Sequence, residues 1–350
     1  MRQRKLRIAL AVLLIAAAIA AVVYLRSRSG PEAARLLPES DAILFVNLRL
    51  MRLAHVFGEA SPVSYDPDYE QFVKETGFQF ERDLDQAALA MHLPSGAPAG
   101  HGFLEVARYS WIFIGKFDAQ RAAAYFRKLS SNTEDYRDAV IYAIPHEGRT
   151  VRVAVLGLDT VAVSNQTDGS AIHQMIDKYR AAAWPGRGPF LLREHYHQMP
   201  VASVAWAVAK IPSEQGQGAM FALPGVGIPA HQLAGSTIVA SAAYRGALHL
   251  RVEALMPTEN DARQFDETVK TFLALVKGIE SSTTQGGTDA DVKALFNSLK
   301  VEEHGTRVAL TATLPQGFIR KALTPPPGPP VQGPASPPPP SGKKRKGQTQ

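Results

Sequence analysis

The closest pair of histidines in this sequence is His195 and His197, which flank Tyr196 and follow Glu194. In a β-strand, residues i and i+2 lie on one face, so both imidazoles could bind one metal ion. A zinc site needs at least one further protein ligand, and no strand pattern surrounds this pair. We therefore interpret the stretch as a surface loop in which His195 and His197 are weak candidates for metal ligands.

Two groups of acidic residues also have spacings that could support chemistry. Asp289 and Asp291 resemble the start of a calcium-binding loop, but no acidic 12-residue loop follows. Their simpler role is to cap a helix, where negative charge stabilises the N-terminus. Glu81, Asp83 and Asp85 have charged neighbours, so we expect them to be exposed. Nothing near them predicts the raised pKa that acid–base catalysis favours.

Several classes of site lack their residues altogether. The sequence contains no cysteine, which excludes disulfides, thiolate nucleophiles, Cys-based metal sites and lipoprotein acylation. It also contains no phosphate-binding P-loop, no His-Glu-x-x-His zinc motif and no Gly-x-Ser-x-Gly nucleophile motif. We therefore predict no catalytic residue, no cofactor-binding residue and no cofactor.

Residues 8–25 form an apolar run in which Tyr24 is the one amphipathic member. A helix of 18 or more uncharged residues is long enough to cross the hydrocarbon of a bilayer. Four basic residues precede the run and two follow it, so the positive-inside rule predicts a cytoplasmic N-terminus and an extracytoplasmic body. The residues after the run make a poor cleavage site, which favours an uncleaved signal anchor over a cleaved signal peptide.

The net charge of +6 arises at the ends of the chain. Ten of the 38 Lys and Arg residues lie in 1–28 and 324–350, which contain no acidic residue, so the body has 28 basic and 32 acidic residues. A nucleic-acid-binding surface would need basic residues concentrated on the folded body. We therefore predict no nucleic-acid partner.

The body, residues 40–323, alternates between predicted strands and amphipathic helices. Apolar spacing and capping residues predict helices beginning near Asp68, Asp118, Thr258 and Asp289. Two more are predicted around 172–179 and 318–323. The strands are predicted at 42–48, 86–92, 110–117, 139–144, 150–156, 160–164, 201–209, 237–244, 247–255, 301–303 and 307–314.

The first half of the body, 40–180, and the second half, 201–323, show similar orders of elements. Three pairs of segments resemble each other: 146–156 and 304–314, 111–129 and 248–279, and 43–48 and 204–209. A βαββαβ order is the ferredoxin-like arrangement. We therefore predict an α+β fold of two related halves, each an antiparallel sheet with helices packed on one face. Alternation of Val and Thr in unrelated strands would produce the same resemblance.

Two connectors and a tail complete the predicted organisation. Residues 29–39 form a polar connector after the signal anchor 1–28, and residues 181–200 connect the two halves. In 324–340, ten of 17 residues are proline, which lacks a backbone N–H and has little to bury. We predict that 324–350 is a disordered, Pro-rich tail. Its basic run is interpreted first as a solvated segment, and alternatively as a contact for an anionic lipid, an acidic wall polymer or an envelope protein: Lys343, Lys344, Arg345 and Lys346.

Three motifs carry a resemblance to known sequences. They are LLPESDAILFVN at 36–47, the segment 76–85 that begins TGF and ends ERDLD, and GKFD at 115–118. They resemble an uncharacterised bacterial family of membrane-anchored extracytoplasmic proteins, and the resemblance covers about 36–323. It implies an envelope protein of unknown function and supplies no site residue.

These features predict a single-pass inner-membrane protein whose body binds or organises envelope components without catalysing a reaction. The predicted partners are the membrane, through 8–25, and an envelope component, through the basic tail. Two alternatives remain: a domain that binds an apolar ligand in a pocket lined by Phe265, Phe272 and Trp111, and an enzyme whose acid–base pair is dispersed in the sequence.

Overall fold

The computed structural model describes residues 30–56, 66–93, 107–181, 188–200, 203–213, 230–283 and 290–323. The predicted transmembrane segment 8–25 and the tail 324–350 lie outside this described part. Within it, no helix combines the length and apolar character that crossing a membrane requires.

Twelve strands in the described part form one antiparallel sheet. In chain order they are β1 (Ala42–Asn47), β2 (Leu84–His92), β3 (Arg108–Gly115), β4 (Asn132–Tyr136), β5 (Ala139–His146), β6 (Arg149–Val155), β7 (Thr160–Ser164), β8 (Ser203–Lys210), β9 (Thr237–Tyr244), β10 (Leu248–Leu255), β11 (Lys300–His304) and β12 (Arg307–Leu314). Their order across the sheet is β11-β12-β10-β9-β8-β1-β2-β3-β7-β6-β5-β4. The predicted α+β class with antiparallel sheet is therefore confirmed, and the strands of both predicted halves share one sheet.

Ten α-helices are described alongside the sheet. They are α1 (Glu32–Leu36), α2 (Leu48–Leu53), α3 (Pro67–Thr76), α4 (Phe80–Asp83), α5 (Ala119–Leu129), α6 (Ser170–Arg180), α7 (Phe190–His195), α8 (Glu259–Thr283), α9 (Ala290–Ser298) and α10 (Gln316–Leu323). The predicted caps at Asp118 and Thr258 are confirmed, because each side chain accepts a hydrogen bond from a backbone N–H of its helix. Helix α3 is capped by Asp66 and not by Asp68 as predicted.

The helices of the first half pack on both faces of the sheet, so the prediction that each half carries its helices on one face is wrong. Ile172 of α6 belongs to a core cluster that includes Ile141 of β5. Phe126 of α5 contacts Tyr142, the next residue of β5, which points to the opposite face. Phe265 of α8 belongs to a second cluster, with Ala254 of β10. Both faces of the central strands carry apolar side chains, and one layer of helices would leave one of them in water.

The ferredoxin-like arrangement is also wrong, although the chain begins with the βαββαβ order. Strands β1, β2 and β3 are neighbours in chain order, and each adjacent pair is antiparallel. No helix therefore crosses between parallel strands, as a split βαβ unit requires. Sequence periodicity identifies the elements but does not specify which strands become neighbours.

The two halves join through β1 and β8, which pair in the middle of the sheet. Three strands then follow in chain order on each side, β1-β2-β3 and β8-β9-β10, and the third strand pairs with β7 or β12. The matched segments at β1 and β8, and at β3 and β10, thus occupy equivalent positions. The matched segments 146–156 and 304–314 do not occupy equivalent positions. Strand β6 is the fourth strand from β1, whereas β12 is the third strand from β8.

The connector 29–39 is not the polar segment that we predicted. It contains α1, which buries Ala33, Ala34 and Leu36, and the extended residue after it, Leu37, joins them in the first core cluster. The connector is therefore part of the core. The division of the body into 40–180 and 201–323 stays a prediction.

Candidate functional site

A concave site lies on the sheet of the second half, between β9, β10, β11 and β12. It has a volume of about 500 Å³. Four basic side chains line it, together with hydroxyl side chains and Pro200. We call it the basic groove and define it by these residues: Ser241, Arg245, His249, Arg251, Ser298, Lys300, Thr311 and Thr313.

The strand register places the polar side chains of the basic groove in rows across the sheet. Ser241 pairs with Arg251, Arg251 with Thr311, and Thr311 with Lys300, so one row crosses four strands. Residues directly opposite each other share a face, with Cβ atoms about 4.5–5.5 Å apart. The row therefore alternates hydroxyl and cationic groups. In the next row, Thr313 Oγ1 and His249 Nδ1 are 3.2 Å apart.

A buried carboxylate orients one cation of the basic groove, Arg251. Arg251 Nη2 donates a hydrogen bond to Glu253 Oε2 at 3.3 Å, and Arg307 Nη1 donates one to Glu253 Oε1 at 3.4 Å. Glu253 is 7% exposed. One carboxylate thus serves two guanidinium groups, and the three residues together keep a net positive charge.

Arg245 and Lys300, the other Arg and Lys side chains of the groove, make fewer interactions than Arg251. Within the described part of the chain, neither Arg245 nor Lys300 forms an ion pair. Arg245 occupies the β9–β10 turn beside Gly246, whose φ of +78° suits glycine. This turn positions Arg245 at the end of the same hairpin that carries His249 and Arg251. The sequence signal for the groove was the alternation of His249 and Arg251 on β10, which our sequence analysis did not identify.

The predicted metal candidates behave differently from a surface loop. His195 ends α7 and is 6% exposed, whereas His197 is exposed. His195 Nδ1 lies 3.2 Å from Gln198 Nε2, which can donate a hydrogen bond to it. In the described residues, no three His, Asp or Glu side chains are grouped so that they could hold a metal ion. The interpretation of a loop is wrong for His195, because Leu191 and Leu192 bury α7 in the core.

The acidic group at 81–85 is structural in part. Asp83 is 7% exposed, contrary to our expectation, and its Oδ2 accepts a hydrogen bond from the backbone N–H of Gln79. The hydrogen bonds from Arg82 lower the pKa of Asp83. A carboxylate held ionised in this way is suited to capping the chain and not to donating a proton.

A buried histidine–serine chain is a second polar cluster that the sequence did not reveal. His92 Nε2 is 3.1 Å from Ser110 Oγ, which is 3.1 Å from Ser164 Oγ. The composition resembles a nucleophile with its base. Ser110 and Ser164 are 0% and 1% exposed, however, so a substrate cannot reach either hydroxyl. We assign this cluster a structural role in joining β2, β3 and β7.

We expect the stability of the protein to decrease as the pH falls below about 6.5, partly because of His92 and His195. Burial lowers the pKa of both, so below pH 6.5 the unfolded state binds more protons than the folded state. Each histidine then lowers the free energy of unfolding by at most about 1.4 kcal/mol for each pH unit below that point. Urea unfolding between pH 7.5 and 5.5 should show a smaller loss in the His92→Gln and His195→Gln variants. An unchanged pH dependence in both variants would contradict the assignment.

The three aromatic residues of the predicted apolar pocket do not meet in one place. Phe265 belongs to the second core cluster, packed with Ala254 and Val308. Phe272 lines a shallow depression on the α8 surface. Trp111 stacks on Phe113 of its own strand, with ring centroids 5.6 Å apart.

Comparisons with known proteins give no family. No family profile matches the sequence, and no curated protein matches it, which is consistent with an uncharacterised family. Among solved structures, crystal forms I, III and IV of TP0453, a Treponema protein, match with TM-scores of 0.41, 0.43 and 0.42. The identity is 9%, and the matches cover 83–85% of this chain and 97–98% of the other.

Proposed function

We propose that the protein is a non-enzymatic binding protein, anchored in the inner membrane by residues 8–25, with the basic groove as its binding site outside that membrane. The observation that supports binding is the composition of the groove. Its lining includes four basic side chains and several hydroxyls, but no carboxylate. Glu253, two residues from Arg251 on β10, accepts hydrogen bonds from two arginines.

The proposed anchor would hold the groove near the membrane surface. Six residues separate Leu25, the last residue of the apolar run, from Glu32, the first residue of α1. An extended chain of that length spans about 20 Å. Because α1 is part of the core, the folded body cannot move further away than this linker allows. The proposed ligand is therefore one that occurs close to the bilayer.

Two further parts of the proposal concern the ends and the origin of the chain. We propose that the two halves arose by duplication, which the equivalent positions of β1 and β8, and of β3 and β10, support. We also propose that the basic run of the tail contacts an anionic envelope component, because it lies on a Pro-rich spacer: Lys343, Lys344, Arg345 and Lys346.

Because the natural chain has no cysteine, one introduced cysteine reports location and binding without interference. Leu158→Cys, at a side chain that is 81% exposed, should react with a membrane-impermeant maleimide in intact spheroplasts. Gln3→Cys should react only after the membrane is permeabilised. The reverse pattern would contradict the proposed orientation.

A second cysteine variant tests the binding site. Ser298→Cys carrying a photo-crosslinker should capture a specific ligand or partner in cells, because Ser298 borders the groove. Leu158→Cys with the same reagent is the matched control. Equal capture by both variants, or capture by neither, would argue against the groove as the binding site.

A further inference from the structure

We propose that the basic groove binds a phosphate monoester that carries hydroxyl groups. This inference rests on the proposed binding function and specifies its ligand. Two observations carry it: the local excess of positive charge, and the rows of hydroxyl side chains between the cations.

The charge of the groove matches a doubly charged group better than a single carboxylate. Arg245 and Lys300 contribute two positive charges, and the cluster of Arg251, Arg307 and Glu253 contributes one more. Glu302, which lies on the same face of β11 as Lys300, removes one, so the net charge is +2. A phosphate monoester carries about −1.5 to −2 charges at neutral pH. Hydrogen bonds between charged groups are about twice as strong as neutral ones. A ligand with two negative charges therefore compensates this positive charge better than a single carboxylate does.

One side chain that would contact the phosphate, Arg251, is already held in place. Arg251 is fixed at one end by Glu253 and has a side chain that is 47% exposed. Its guanidinium therefore keeps free donors directed at solvent while its position is restrained. Because Arg251 is restrained before binding, it loses less conformational entropy when the ligand binds. The planar guanidinium of an arginine can also donate two parallel hydrogen bonds to phosphate oxygens.

The hydroxyls explain why the ligand would be an ester of a polyol. Ser241 and Thr311 flank Arg251 in one row, and Thr313 lies beside His249 in the next. A hydroxyl side chain both donates and accepts hydrogen bonds, which suits the hydroxyls of a ligand. The volume of about 500 Å³ exceeds what an inorganic phosphate fills and lies within the range of small-molecule sites.

The test is calorimetric titration of the full chain, held in phosphatidylcholine nanodiscs, with glycerol 3-phosphate. We expect saturable binding that weakens as the salt concentration rises. Inorganic phosphate should compete, and succinate should bind at least tenfold more weakly. Vesicles that contain phosphatidic acid distinguish a lipid headgroup from a soluble ester. Stronger retention on these vesicles than on phosphatidylcholine would identify the membrane as the source.

Arg245→Ala and Lys300→Ala should each reduce the affinity for glycerol 3-phosphate about tenfold, because each removes a charge-assisted contact. Neither side chain has an ion-pair partner in the described residues, so both variants should fold, which far-UV circular dichroism checks. Arg263→Ala is the matched control. It removes one positive charge from the exposed side of α8, where Arg263 pairs with Glu259 at 3.6 Å, and should leave the affinity unchanged.

The outcomes separate the ligand class from the binding function. Equal affinity for succinate and glycerol 3-phosphate would overturn the phosphate assignment, although groove-specific crosslinking at Ser298→Cys would still support binding. If Arg263→Ala lost as much affinity as Arg245→Ala and Lys300→Ala, the basic groove would not be the site where the phosphate binds. Absence of both saturable binding and groove-specific crosslinking would overturn both proposals.

Discussion

Replacing Trp206 with alanine should lower the free energy of unfolding by about 3–5 kcal/mol, the range typical of deleting a buried Trp or Phe side chain. Trp206 lies on β8, is 3% exposed, and stands directly opposite Phe45 of β1. The two rings stack with centroids 5.4 Å apart, and Tyr196 contacts Trp206 edge-on at 5.9 Å. The substitution would therefore leave a cavity at the junction where the two halves meet.

Urea unfolding of the full chain, followed by far-UV circular dichroism, measures this effect. Leu158→Ala is the control, because Leu158 is 81% exposed in the turn before β7, and we expect its effect to stay within about 0.5 kcal/mol. A loss below 1 kcal/mol for Trp206→Ala would contradict the tight packing of the β1–β8 junction. A second unfolding step in the variant would show that the halves separate when this contact is lost.

Replacing Gly115 with alanine should destabilise the protein by about 1–3 kcal/mol, the usual cost of overpacking a core. A Cβ atom at Gly115 would lie 2.5 Å from the carbonyl oxygen of Asp83 and 3.1 Å from Leu84 Cα. Both are backbone atoms and cannot rotate away. Gly115 pairs with Leu84 at the point where the β2–β3 register shifts, so the added methyl group would push these strands apart.

The same substitution at Gly278 is the matched control. Gly278 lies within α8, and a Cβ atom there would meet nothing within 4 Å. Alanine has a higher helix propensity than glycine, so we expect stabilisation by about 0.5–1 kcal/mol. The two Gly→Ala variants should therefore shift the urea midpoint in opposite directions. A shift in the same direction would show that the close approach at Gly115 can relax.

Apolar spacing, turn residues and capping residues predicted most of the individual strands and helices. The strand at Thr160–Ser164 and the hairpin formed by β9 and β10 occur where alternation and turn residues placed them. The caps at Asp118 and Thr258 act through hydrogen bonds between neighbours in sequence, so they could be recognised from spacing alone.

The pairing of distant strands could not be predicted in the same way. Nothing in β1 or β8 by itself specifies that Phe45 will face Trp206, because this contact joins residues more than 150 positions apart. The basic groove depends on similar contacts, since Arg251 and Lys300 are aligned only through β12. The burial of His195 was missed because no strand pattern surrounds it, and the six-residue helix Phe190–His195 is too short to show a clear helical period.

The central position of β1 determines how the protein would carry mechanical load. The chain enters the sheet at β1, in the middle, and leaves it after β12, one strand from an edge. If the membrane and the tail pulled on the two ends, tension would pass through the ladders from β1 to β8, β9, β10 and β12. Strands β2–β7 lie outside that path and would bear no force. Such a pull would shear the strands that form the basic groove.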